Sequence, residues 1–418
     1  MMLTHRRFAA IAARSGTLAV VLAGSVIGCA STRTLLGRQP RDSAGSMARA
    51  VRDSLSVVLR AAVADSAFPG AIAIVGDSRG VLAEFSAGRL DWRRSPRPTR
   101  HVLWDLASLT KVVGTTTALA QLVERGDVEL DAPVQRYLPD WTGPGQELVT
   151  IRHLLTHSSG LPAFREYDKQ THDVDSLAVL LFHTPLERPP SEKMVYSDIG
   201  AFLMGHIIER VAGQPLDRYL DASVFAPLGM RETMFRPPAS MRKRIAPTER
   251  DTLRGGLIRG FVHDERAYYL GGVAAHAGLF SSAHDLSRFA TMMLRGGTLD
   301  SVRVLRPETV ELFTSYADST GSNRALGWQK PDRPEMRDRT PAATWAGQSA
   351  SSRAFGHTGF TGTSIAVDPS LDLYIILLSN RVNPTRNNPR IGAVRTRLAD
   401  AVIAAVRRQG SSVGVGLP

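Results

Sequence analysis

Ser108 and Lys111 stand three residues apart in Ser108-Leu109-Thr110-Lys111. On a helix that spacing puts both side chains on one face. A serine hydroxyl is a weak nucleophile until a neighbour takes its proton. A lysine can do so if burial and the positive end of a helix dipole lower its pKa. The same helix end offers a backbone N–H to a reacting carbonyl. Leu106, Leu109, Val112 and Val113 surround Lys111, which is one of only five lysines in a chain that otherwise uses arginine. Arginine cannot lose its proton in this way. Taken alone, the pair also fits an N-capping serine followed by a solvated lysine.

Two more stretches carry chemistry. Tyr196-Ser197-Asp198 precedes a helical run. A phenol beside an ammonium ionises more easily and can pass a serine proton to a leaving group. The plainer reading is a core tyrosine followed by an N-capping Asp198, and the two roles are compatible. His357-Thr358-Gly359-Phe360-Thr361-Gly362 enters a strand pair. Glycines there let a substrate backbone approach a strand edge, and the Phe360 N–H can join the Ser108 N–H as an oxyanion hole.

In this order the three motifs match the Ser-x-x-Lys, Ser-Asp-Asn and Lys-Thr-Gly set of β-lactamases and penicillin-binding proteins. The chain resembles that superfamily over roughly residues 50–405. It is most similar to the class C branch, which has tyrosine in the second motif and includes D,D-peptidases and family VIII carboxylesterases. Trp104–Ser108, Ile151–Leu161 and Gly271–Ser281 support the resemblance, the last two read as structural.

The resemblance implies Ser108 as the acylated residue, with Lys111 and Tyr196 sharing the base role. Ser108 and Phe360 would supply the oxyanion-hole amides, and Asp198, His357, Thr358 and Gly359 would contact substrate. Two departures matter. Asp198 stands for asparagine, so a negative charge replaces an amide donor. His357 stands for lysine, so a fixed charge becomes a group near neutrality at pH 7. A substrate carboxylate should bind less strongly. Ester or D-alanyl peptide hydrolysis therefore ranks ahead of efficient β-lactam hydrolysis. The other reading is a non-catalytic penicillin-binding or cell-wall sensor of the same fold.

These motifs need elements to hold them. Val51, Leu55, Val58, Leu59 and Ala62 have helical spacing over 47–66. Ala71–Val75 and Val81–Phe85 flank a turn and predict a hairpin, as do Thr363–Val367 and Leu373–Leu378. Helices are predicted over Ser108–Arg125, Asp198–Ala212, Ala283–Leu294 and Ile391–Arg407. The expected fold is α+β: an antiparallel sheet from both chain ends, flanked by helices, with an inserted, mainly helical lobe, β-lactamase/transpeptidase-like. The sheet lobe takes about 47–100 and 355–407, and the helical lobe about 101–354. The long loop 318–353 reads as functional or unstructured.

Arg6, Arg7 and Arg14 precede the apolar run Leu18–Gly28, too short to span a bilayer. Val26-Ile27-Gly28-Cys29 resembles a lipobox. The expectation is a signal peptide over 1–28, lipid on Cys29, a tether over 29–46 and a tail over 408–418. The protein would then be a monomeric periplasmic lipoprotein, touching the membrane only through that anchor. Cys29 is the single cysteine, which excludes an intramolecular disulfide and a cysteine zinc site. His263, His276 and His284 match no zinc spacing, so neither a metal nor another cofactor is expected. The formal charge of +12 comes from scattered arginines without interleaved aromatics. No nucleic-acid partner is expected, only a small-molecule or peptidoglycan-derived substrate.

Overall fold

The two predicted strand pairs form, and they join. In the computed structural model, which describes residues 43–317, 322–332 and 343–411, β1 (Gly70–Asp77) and β2 (Gly80–Gly88) make one hairpin. Strands β3 (Phe355–Thr358), β4 (Ser364–Asp368) and β5 (Leu373–Ser379) follow near the other end of the sequence. The sheet order is β3-β4-β5-β1-β2, antiparallel throughout. Pairing of β1 with β5 sets Ala71 opposite Ser379 and Val75 opposite Ile375. The expected signal segment, Cys29, most of the tether and the end of the tail lie outside the described residues.

Side chains alternate across β1. Ala71, Ala73 and Val75 pack with the terminal helices α1 (Ser43–Ala64) and α5 (Ile391–Ser411). Ile72 and Ile74 face the larger core, which holds Leu286 and Phe289 of α4 (Ala283–Leu294) and the helical middle. Val51, Leu55, Leu59 and Ala62 of α1 are wholly buried. Full burial of one leucine contributes roughly 2 kcal/mol, so α1 is part of the folded body. It starts at Ser43, inside the expected tether, and α5 runs to Ser411, inside the expected tail. Those end turns lack the apolar spacing that betrays a helix in sequence.

Three features position the motifs. A short strand, Trp104–Asp105, pairs with Leu279–Ser281 and delivers the chain to Ser108. The helical run after Ser108 is not uniformly α: Lys111–Thr116 forms a wider π-helix before α2 (Thr117–Arg125). Such turns often occur at functional sites. Helix α3 (Asp198–Ala212) begins where predicted, but its N-cap is Ser197, whose hydroxyl accepts from the Gly200 N–H. Asp198 is instead the first helical residue. Among the described residues no helix is long and apolar enough to cross a membrane.

Candidate active site

The turn before Ser108 is held from three sides. Asp105 Oδ1 accepts from the Ala107 N–H at 2.8 Å and Oδ2 from the His263 N–H at 2.6 Å. Burial raises the Asp105 pKa against these bonds. From the third motif, Thr361 Oγ1 donates to the Asp105 carbonyl at 2.7 Å and Thr363 Oγ1 to the Leu106 carbonyl at 3.0 Å. Ala107 is thereby kept at φ +47°, an uncommon angle for a residue with a side chain. Gly359 packs so closely that a side chain there would collide with Thr363 Oγ1 and the Leu106 carbonyl. The third motif thus clasps the first.

Lys111 is buried and its three ammonium hydrogens have three acceptors. They are Ser108 Oγ at 3.2 Å, the His276 carbonyl at 3.1 Å and Asp198 Oδ1 at 2.8 Å. The Lys111 nitrogen lies 4.8 Å from the Tyr196 ring centre. The Tyr196 oxygen is buried and completes no well-aligned hydrogen bond among the described residues.

The sequence suggested a lysine with a lowered pKa; the geometry reverses this. Burial disfavours the Lys111 charge, but the Asp198 carboxylate and Tyr196 outweigh it and hold its pKa above the usual lysine value. The cause is the Asp-for-Asn departure, which sets a full negative charge against the amine. Burial likewise opposes the Asp198 charge, and Lys111, His276 and Arg266 outweigh it, so its pKa is lowered. Arg266 bridges Asp198 at 3.3 Å and Asp264 at 3.2 Å, and His276 Nε2 meets Asp264 Oδ1 at 3.0 Å.

With its folded pKa raised, whatever needs the Lys111 ammonium is fully present below the ordinary lysine value and fades as pH rises through the folded one. Asp198→Asn removes the charge that raises it. The alkaline limb of kcat/KM is expected to move to lower pH in Asp198→Asn. An unmoved limb would show that Asp198 does not hold the Lys111 proton.

Ser108, Tyr196, Asp198 and Phe360 line one open cleft of about 980 Å³. Lys111 stands behind its wall. His357, Thr358 and Gly359 do not line the cleft: His357 is buried, its Nδ1 is 2.8 Å from the Thr358 carbonyl oxygen, and the Gly359 N–H donates to the Thr363 carbonyl. Burial, then the charges of Arg324 and Lys111, hold the His357 pKa well below the usual histidine value. It is a neutral group here. The Ser108 and Phe360 N–H groups donate no hydrogen bond among the described residues. Phe360 itself is 49% exposed, with the Arg381 guanidinium 4.2 Å from its ring centre.

Several contributors escaped the sequence reading. The His276 carbonyl lies in the Gly271–Ser281 string read as structural. His157, in Ile151–Leu161, accepts from the Ser197 N–H at 3.1 Å and packs 4.6 Å from the Tyr196 ring. Arg266 follows the His263-Asp264-Glu265 run, which was weighed for metal and read as structural or as part of a substrate loop. Arg324 lies in a loop with no periodicity to mark it.

A family model described as "Beta-lactamase" matches residues 55–399. A protein of Escherichia coli K12 named "Putative D-alanyl-D-alanine carboxypeptidase" is 36% identical over 321 residues, covering 70% of this chain and 72% of its own. A penicillin-binding protein homologue from Caulobacter crescentus superposes with TM-score 0.67 at 23% identity, over 86% of this chain and 97% of that one. A class C β-lactamase from Rhodobacter sphaeroides does so with TM-score 0.65 at 22% identity, over 85% and 99%. Identities this low speak for the fold alone.

Proposed function

The chain belongs to the beta-lactamase family, and from that premise we propose that it is a serine hydrolase working through an acyl-enzyme on Ser108. One observation carries the reading: Ser108 Oγ accepts a hydrogen bond from the buried Lys111 ammonium at 3.2 Å, in the wall of a cleft it shares with Tyr196.

Because Ser108 Oγ accepts from Lys111, its own hydrogen is left for another acceptor. A fully committed ammonium cannot take it, so Tyr196 does, acting as a phenolate whose own proton has already left to water. As the proton moves to the Tyr196 oxygen, the Ser108 Oγ–carbon bond forms and the carbonyl electron pair shifts onto oxygen. The Ser108 and Phe360 N–H groups receive that negative oxygen. Such donors are worth about 3 kcal/mol each when preorganised. The intermediate collapses, the carbon–leaving-group bond breaks, and the alcohol or amine takes the proton from Tyr196. Water repeats the sequence to free Ser108.

The substrate class follows from the charges. His357 is neutral, and Arg266 is paired with Asp198 and Asp264. Neither offers an uncommitted cation to a substrate carboxylate. Esters that lack a carboxylate therefore rank ahead of D-Ala-D-Ala peptides and β-lactams, which both carry one. Intact-protein mass spectrometry tests the reading with p-nitrophenyl butyrate, a D-Ala-D-Ala peptide and a penicillin. A short-lived adduct on Ser108 is expected from at least one. A permanent adduct without turnover would favour the sensor reading, and no adduct would end both.

The reading extends to the cell envelope, with the body held by lipid on Cys29. Cys29→Ser is expected to move the protein from the detergent phase to the aqueous phase on partitioning. An unchanged distribution would rule out that anchor.

A further inference from the structure

The turn that joins β3 to β4 carries the Phe360 N–H, one of the two donors that receive the negative oxygen in the reading above. It is a tight turn. The Gly359 N–H donates to the Thr363 carbonyl at 2.8 Å and the Gly362 N–H to the Gly359 carbonyl at 3.1 Å. Behind it lies Arg395, near the start of α5 and 8% exposed. Its Nη2 donates to the Gly359 carbonyl and to the Thr363 carbonyl, each at 2.7 Å. A second guanidinium meets the turn through Arg381 Nε, which donates to the Phe360 carbonyl at 2.7 Å. Both peptide units that flank Phe360 are thus held by their carbonyl oxygens.

The Gly359 carbonyl and the Phe360 N–H belong to one peptide unit. That unit is trans, Asn383–Pro384 being the cis bond among the described residues. Its carbonyl and its N–H therefore point in opposite directions. A carbonyl drawn back onto buried Arg395 sends the Phe360 N–H the other way, and that N–H donates to no group among the described residues. Phe360 lines the cleft and Arg395 does not. Accepting from a cation also polarises the peptide, which makes its N–H a stronger donor. Arg395 makes no ion pair among the described residues. Burial, and then the charge of Arg381, act against its own charge. A buried cation needs compensating contacts, and the ones it has are these two carbonyls.

We propose that Arg395 is a positioning residue for the oxyanion hole: from behind the turn it aims and polarises the peptide whose N–H, that of Phe360, receives the negative oxygen. The inference rests on the serine-hydrolase reading above. Arg395 acts only through that peptide. Its contribution therefore belongs to the transition state, where the carbonyl oxygen carries charge, and not to the bound ester.

The test compares Arg395→Gln and Arg395→Lys with the unaltered chain. Readouts are kcat and KM on p-nitrophenyl butyrate, the affinity of butylboronic acid, and fluorophosphonate labelling of Ser108. Boron takes up the Ser108 oxygen, keeps both hydroxyls and becomes tetrahedral and anionic, the serine proton leaving to water. The adduct puts an oxygen in the hole with no bond to break. Removing an oxyanion donor outright lowers kcat about 10²–10³-fold, so misaiming one in Arg395→Gln is expected to lower it about tenfold or more. Butylboronic acid should weaken by a similar factor, with KM nearly unchanged. Arg395→Lys restores a cation and should recover part of both losses. An unchanged boronic acid affinity in Arg395→Gln overturns the proposal. So does a rise in KM with kcat unmoved, and so does equal impairment in Arg395→Lys, which would mean packing and not charge. If Arg395→Gln does not fold, Arg395→Lys alone decides. Its ammonium cannot reproduce the guanidinium's reach, so kcat and boronic acid affinity should fall together with KM unmoved, and no fall in either overturns the proposal. If the unaltered chain neither turns over nor labels at Ser108, the hydrolase reading falls and takes this with it. Turnover and labelling with kcat and boronic acid affinity unmoved in Arg395→Gln remove Arg395 alone.

Discussion

Ser108→Ala is expected to reduce ester turnover by about 10³-fold or more, with the fold intact. Removal of a nucleophile in a serine hydrolase leaves only the contribution of binding and the oxyanion hole, and losses of up to about 10⁶ are known for such changes. Ser108 is half-buried at the cleft wall, so losing one oxygen leaves a space that water can enter. Lys111 keeps two of its three acceptors, the His276 carbonyl and Asp198. Stability should therefore change by less than about 1 kcal/mol. Initial rates with p-nitrophenyl butyrate and loss of the mass adduct check the first point, and urea unfolding checks the second. Equal rates in the two proteins would remove Ser108 from the chemistry.

Lys111→Met should damage both activity and stability, and the two losses separate. Turnover is expected to fall about 10²–10⁴-fold, since Ser108 loses its hydrogen-bond donor and Tyr196 a neighbouring cation. Stability falls because Asp198 keeps its charge while its closest partner, at 2.8 Å, is gone. Breaking a buried pair from one side costs about 3–5 kcal/mol. Arg266, at 3.3 Å from Asp198, holds the loss near the lower end. Lys111→Met/Asp198→Asn should regain most of the stability and none of the turnover. The coupling is read from urea midpoints in a double-mutant cycle. Strictly additive midpoints would show that the ion pair contributes nothing to the fold.

The sheet and the main helices were readable because apolar periodicity survives in them. The Asp198–Ala212 and Ala283–Leu294 boundaries agree at both ends with the predicted ones. Ser108, Lys111, Tyr196 and Phe360 were legible as motif positions. What Asp198 does to Lys111 was not: the residue types were visible, but the 2.8 Å separation that sets the sign of the shift comes from the packing of α3 on the π-helix. Likewise, nothing in the string His-Thr-Gly reveals that His357 turns away from the cleft toward its neighbour's carbonyl. Arg324 had no sequence signal, because irregular turns encode position through single hydrogen bonds and one glycine.

Strand β1 waits for its second neighbour, β5. Ser78 and Asp372, which hydrogen-bond across that closure, lie 294 residues apart. A ribosome must release almost the entire polypeptide before β1 can be enclosed, and pairings this remote form late. Thr361 and Thr363, which grip the nucleophile turn, emerge in that same late stretch. In a growing chain, therefore, the turn before Ser108 is gripped only once the stretch that carries Thr361 and Thr363 has emerged.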